Sequence, residues 1–213
     1  MRRYLGDVAA LARKDLVLEL RARDTLPAML LFVLAALVTF HFALPARSSE
    51  LAAKGLLWVA LVFTALLGLS RAFVAEREQR LMDGLLLSPV DRSAIWAAKG
   101  IATLAFLAAA EVVALPAFAI FFSGINGATI AGVVLADLGI CAVGTLLAAM
   151  ASVSRARELL LPLLFLPLAI PVVVGGVGAS VAGGPGRYLA FLGLYDALFA
   201  ILSWASFEYV VAE

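Results

Sequence analysis

The 213-residue chain holds one cysteine, one histidine and three lysines, and only 15% of its residues are charged. The lone Cys141 excludes an intramolecular disulfide and a cysteine metal cluster; set inside an apolar run, it reads as a small packing residue. None of Lys14, Lys54 and Lys99 precedes Ser or Thr, and no G-x-x-x-x-G-K-[ST] occurs, so the chain has no P-loop for binding and hydrolysing ATP. It also lacks G-x-S-x-G and H-E-x-x-H, and the only base open to an intramembrane serine protease is His41. A lipid-phosphate transferase would show a cluster of spaced aspartates, whereas Asp137 and Asp196 stand alone. No catalytic residue and no metal site are expected: this is not an enzyme. A soluble fold is excluded as well. The chain is 64% hydrophobic with a mean hydropathy of +1.07, where soluble domains sit at about 45–50% apolar and about 25% charged.

What is present is membrane. A hydrocarbon core of roughly 30 Å needs about 20 apolar residues in helix. Six segments qualify: Leu26–Leu44, Leu51–Phe73, Ala97–Phe122, Ala128–Ser152, Leu159–Ala182 and Tyr188–Val211. The expected fold is all-α: a polytopic six-helix domain over residues 26–213, an N-terminal interfacial helix over residues 1–25, and a cytoplasmic coupling helix between spans 2 and 3. The opening MRRYLGDVAALARKDL has no continuous apolar region and no cleavage site, so no removable signal peptide is expected.

The cations are asymmetric. Arg2, Arg3, Arg13, Lys14, Arg21, Arg23, Arg71, Arg77, Arg80, Arg92, Lys99, Arg155 and Arg157 fall on one side of the spans, and Arg47, Lys54 and Arg187 on the other. The positive-inside rule then places both termini in the cytoplasm. In the N-terminal arm Leu5, Val8, Ala9, Ala12, Leu16 and Leu20 share one helical face, with Arg3, Asp7, Lys14 and Arg21 opposite; Glu19 is a misfit on the apolar stripe. This reads as a helix on the cytoplasmic leaflet, its cations near anionic headgroups, forming an elbow into span 1. In span 5, Pro162, Pro167 and Pro171 must kink or break the helix. The tract Gly175–Gly186 is either a re-entrant element or the end of a kinked helix.

Glu76–Lys99 is a charged segment wedged between two apolar runs, too charged to enter the bilayer. It reads as a short helix from Glu76 to Leu87, a Ser88-Pro89 break and a second start at Asp91. Its acids and arginines, Glu76, Glu78, Arg80, Asp83, Asp91 and Arg92, offer charge-assisted pairs. Leu81, Leu85 and Leu86 offer an apolar ridge, with Pro89 at the break. Such a rigid handle suits a soluble ATPase that pushes on the membrane subunit.

Three acids lie within spans: Glu111, Asp137 and Asp196. They read either as a polar cavity or coupling relay, or as structural acids bonded to neighbouring helices, with Asp196 read as an outer-interface group; Glu111 is the preferred functional candidate. His41, between Phe40 and Phe42 near the outer end of span 1, reads as an interfacial side chain rather than a haem ligand. The small residues Gly132, Ala136, Gly139, Gly144 and Ala148 of span 4 read as close helix packing and a candidate homodimer seam. Trp58, Trp96 and Trp204 need no role beyond packing or anchoring.

The segment Glu76, Arg77, Glu78, Leu81, Leu85, Leu86, Ser88, Pro89, Arg92 and Lys99 resembles the cytoplasmic loop of ABC-2-type transporter permeases, although many members have Gly-Thr where this chain has Arg80-Leu81. Together with ARKDLVLELRARDTL (Ala12–Leu26), the proline tract Arg157–Pro171 and the terminus YDALFAILSWASFEYVVAE, the whole chain resembles the CcmB family of cytochrome c maturation. The resemblance implies a permease subunit of the bacterial inner membrane, with ATP hydrolysed by a partner subunit (CcmA). It further implies membrane partners CcmC and CcmD and an indirect link to the haem chaperone CcmE. Haem is then cargo, or ATP releases the haem-loaded chaperone; no cofactor is expected to bind this chain directly. ABC motors close as pairs of ATPase subunits, so a homodimer with two coupling loops is expected, and no nucleic-acid partner. An ABC-2 permease exporting another lipid or drug, and a non-transporting scaffold, stand as alternatives.

Overall fold

The apolar runs become helices in a computed structural model that describes residues 2–45, 50–74, 90–122, 124–154, 156–181 and 183–212. In chain order these are α1 (Arg2–Ala22), α2 (Thr25–Ala43), α3 (Glu50–Arg71), α4 (Arg92–Phe121), α5 (Gly127–Val153), α6 (Arg157–Val181) and α7 (Gly186–Ala212), with no strand among the described residues. Helices α2 to α7 are long and apolar enough to cross a membrane. Inside hydrocarbon a backbone must satisfy its own hydrogen bonds, which leaves helix as the economical answer for each run. The boundaries follow local chemistry. Asp91 caps α4 by accepting from Ser93 N at 2.9 Å, and Asn126 caps α5 by accepting from Thr129 N at 2.7 Å. Arg23, at φ 59°, takes the left-handed conformation that ends α1 and turns the chain into α2. At 30 residues α4 spans about 45 Å, more than the hydrocarbon core, so its charged first turns extend beyond the bilayer.

Helix α5 is the core of the bundle: two thirds (67%) of its apolar window is buried, and α6, α7, α4 and α3 pack around it. Its small residues allow the approach. A Cβ on Gly132 would lie 3.4 Å from the Trp58 ring, one on Gly139 2.8 Å from Tyr195, and one on Gly144 2.3 Å from Leu69. Ala136 and Ala148 are buried too. The expected homodimer seam on this helix is therefore corrected: its stripe is filled by α3, α6 and α7 of the same chain.

Helix α6 runs unbroken through Pro162, Pro167 and Pro171 to Val181, and α7 starts at Gly186, which settles the Gly175–Gly186 alternative in favour of a spanning helix. Pro171 deprives the Pro167 carbonyl of its helical donor. One residue on, the Leu168 carbonyl accepts from Tyr195 Oη at 2.9 Å, a tie from α7 at the weakened turn. Gly176 and Gly178 make room for the rings of Trp58 and Tyr188.

At the end of the bundle away from α1, three polar ties join the helices. Trp58 Nε1 donates to Ser180 Oγ at 3.0 Å, and Asn126 Nδ2 donates to the Ser180 carbonyl at 3.1 Å. Lys54 Nζ donates to the Gly124 carbonyl at 2.9 Å and sits 5.5 Å from the Phe118 ring. Lys54 lies at the end of the bundle away from α1 and is only 1% exposed.

The Gly176–Trp58 contact makes a direct test. Gly176→Val would place its Cβ about 2.4 Å from the indole and should destabilise the fold by roughly 1–3 kcal/mol or more. Gly193→Ala, with nothing within 4 Å, should be neutral or stabilising by up to about 1 kcal/mol. Thermal loss of the monodisperse peak in detergent, followed by size-exclusion chromatography, reads both.

Candidate functional site

The charged segment follows α3, which ends at Arg71, and runs into the first turns of α4. Of its expected contact residues, Glu76, Glu78, Arg80, Leu81, Asp83, Leu85, Leu86 and Pro89 lie outside the described residues. The second start expected at Asp91 is the α4 N-terminus. Besides capping the backbone, Asp91 Oδ1 accepts from Ser93 Oγ at 2.8 Å. Arg92 Nη1 donates to the Glu208 carbonyl at 3.3 Å, joining the start of α4 to the end of α7.

Both roots of the segment meet at Lys99. It is 5% exposed; its Nζ donates to the Ala72 carbonyl at 2.7 Å, pairs with Asp15 Oδ2 at 3.2 Å and stands 5.1 Å from the Phe73 ring. Asp15 reaches this point because α1 docks along α4. Val8 and Ala12 pack on Ala94 and Ala98, with Tyr4, Leu11, Val90 and Ala97 around them, and Tyr4 Oη lies 3.2 Å from Ser93 Oγ.

The apolar stripe of α1 thus divides. Val8 and Ala12 face protein, while Leu5, Ala9 and Leu20 stay exposed on the side available to lipid. The division also explains Glu19. It falls on the protein-facing edge, where Thr25 Oγ1 donates to Glu19 Oε1. Burial pushes the Glu19 carboxyl above its usual range; Arg71 and Lys99 pull it back only in part, and Asp24 and Asp15 push it further up. A cavity of about 40 Å³ lined by Asp15, Glu19, Thr25, Arg71, Lys99 and Thr103 lies at the centre of this junction, room for a water molecule. At the same end of the bundle, a groove of about 460 Å³ runs between α3, α5 and α6, with Arg71 and Glu158 among its lining residues.

Deeper in the bundle, Glu111 of α4 and Asp137 of α5, 8% and 6% exposed, hydrogen bond to each other through their side chains. A bond between two carboxyl groups needs a proton on one of them. Asp137, read as standing alone, therefore has a partner. A usable signal was present: Glu111 lies ten residues before the end of α4 and Asp137 ten after the start of α5, so a tight turn brings both to one depth. Asp196 joins neither. Its carboxyl oxygens are buried without a hydrogen-bond partner among the described residues, against Gly139, whose Cβ would lie within 2.3 Å. Ten residues into α7, it sits at mid-depth rather than at the outer interface where the sequence placed it. His41, at the end of α2, packs among the rings of Phe42, Phe121 and Phe122 at 5.4, 5.2 and 5.7 Å.

The profile of the CcmB protein family matches residues 7–207. A relative from Bradyrhizobium diazoefficiens, described as "Heme exporter protein B", is 29% identical over 180 residues, covering 82% of this chain and 81% of that protein.

The raised Glu19 carboxyl predicts a pH effect on α1 docking. The docked state favours the neutral acid, so its contribution is full below the ordinary value of 4.5 and is lost as pH rises through the elevated value. Limited proteolysis of α1 should accelerate over that range in the wild type and less steeply in Glu19→Gln. Equal slopes would remove Glu19 as the titrating group.

Proposed function

This chain belongs to the CcmB family, and on that premise we propose that it is the membrane permease subunit of an ABC-type complex for cytochrome c biogenesis. The observation that carries this reading is the family match over nearly the whole chain, joined to a bundle whose helices α3 and α4 flank a charged segment. ATP is hydrolysed by a partner subunit (CcmA), whose docking surface is the segment Glu76–Arg92. The ridge Leu81, Leu85 and Leu86 enters a groove on the motor, and the flanking acids and arginines set its register. CcmC and CcmD are membrane neighbours and CcmE the haem chaperone served. The cation asymmetry supports placement in the bacterial inner membrane with both termini in the cytoplasm.

The polar inventory of the spans favours mechanical release of a haem-loaded chaperone over passage of haem through this chain. A porphyrin carries two propionates, which need cations or donors. The two buried lysines lie near opposite ends of the bundle, each already engaged, and the mid-depth pair Glu111–Asp137 is acidic. His41 is held among phenylalanine rings at one end of α2.

Leu85→Asp should abolish pull-down of the ATPase from detergent extracts while membrane insertion persists. Undiminished association would reject the docking assignment. The intact mass of the same complex reads the copy number: two copies are expected, meeting through faces other than the filled α5 stripe, whereas one copy would hand the second motor position to another subunit.

His41→Ala should keep both haem loading of the chaperone and cytochrome c assembly, measured by haem stain and absorbance in cells. Total loss of chaperone loading with the protein still inserted would overturn the release mechanism in favour of direct haem handling.

A further inference from the structure

We propose that Lys99 is a positioning residue for coupling: one buried ammonium fastens α1, the end of α3 and α4 together, so that a push on the segment 75–89 moves its two roots and the N-terminal helix as one body. The inference rests on the reading of that segment as the ATPase contact.

The geometry is specific. Lys99 stands two turns into α4, past the Asp91 cap, and reaches sideways to two other elements. The Ala72 carbonyl, 2.7 Å from Nζ, belongs to the first residue after α3, where the helix ladder has ended and carbonyls lack intrahelical donors. Asp15, 3.2 Å away, belongs to α1 and holds Lys14 at 3.0 Å with its other oxygen. The Phe73 ring covers the ammonium at 5.1 Å. A lysine in this position is costly to bury and is tolerated because a carbonyl, a carboxylate and a ring face all answer it.

The consequence for motion follows from connectivity. A load entering at residue 90 reaches α4 within two turns of Lys99, and a load entering at residue 74 reaches α3 two residues from Ala72. With the clamp closed, neither root yields without the other. Asp15 then draws in α1, which is also packed on α4 through Val8 and Ala12. Through the left-handed corner at Arg23, α1 leads directly into α2. A load at one loop is thereby delivered to α2, α3 and α4. If Lys99 is replaced by an apolar chain of similar length, the volume is kept but the three anchors part company.

The test uses the full chain. On a Cys141→Ala background, spin labels at Ala10→Cys and Ser70→Cys, both exposed positions on α1 and α3, report the distance distribution in nanodiscs. It should be narrow in the parent and in Lys99→Arg, and broad in Lys99→Met and Asp15→Asn. A Lys99→Met distribution as narrow as the parent's would overturn the clamp; should that variant not insert, Asp15→Asn against Lys99→Arg makes the same decision. In the complete complex, Lys99→Met should still retain the ATPase on pull-down but lose ATP-driven chaperone release by about tenfold or more, because the Ala72 carbonyl and Asp15 lose the ammonium that joins them. Release undiminished in Lys99→Met also overturns the proposal. Failure of the parent chain to retain the ATPase would instead reject the docking reading, and the spin-label distances would still judge the clamp by themselves.

Discussion

Hydrocarbon offers no hydrogen bonds, so a polar atom inside a membrane-spanning bundle is best answered by another part of the chain. That constraint organises the structure. The backbone answers itself by forming helices, and several buried polar side chains find a partner on a different element, whereas the Asp196 carboxyl does not. Trp58 bonds Ser180, Lys54 bonds the Gly124 carbonyl, Tyr195 bonds the Leu168 carbonyl, and Glu111 shares a hydrogen bond with Asp137. Each tie is worth little when counted alone. Its weight lies in the alternative, a buried group left unmet at several kcal/mol.

Packing supplies the rest. Lipid tails are as apolar as leucine, so helices gain by close contact rather than by escaping water. Glycine provides the contact where a bulky partner presses in: Trp58 on Gly132 and Gly176, Leu69 on Gly144, Tyr188 on Gly178. Because those hollows lie on α5 and α6 and are filled from α3 and α7, the bundle closes on itself around α5. Exposed apolar side chains are left for neighbours on α2, α4, α6 and α7, such as Phe42, Val112, Leu163 and Leu194.

The two ends of the bundle are built differently. The end away from α1 is tied by hydrogen bonds from Trp58, Asn126 and Lys54. The end bearing α1 gathers charge: Asp15, Glu19, Arg71 and Lys99 around a small cavity, with α1 docked across it. Charge-rich contacts resting on one lysine and one turn of helix are the kind that can shift without unfolding the apolar core, and they sit at the two roots of the segment 75–89.

Much of this was legible in the residues. The six spans and the Asp91 start of α4 could be read because helix formation in hydrocarbon is a local matter of apolar length and of the residues at its ends. The family could be read because the loop motif and the flanking tracts are linear. Which side chains meet was a different question. The Glu111–Asp137 pair, the burial of Lys54 and Lys99, the use of the α5 glycines within the chain, and the depth of Asp196 depend on how antiparallel helices rotate and slide against one another. That rotation is set by shape and polar matching between segments as far apart in sequence as Asp15 and Lys99, or Trp58 and Ser180. A linear pattern determines that a residue faces an apolar side; the tertiary structure decides what it faces there, because only assembled helices present the hollow, the ring or the carbonyl that answers it.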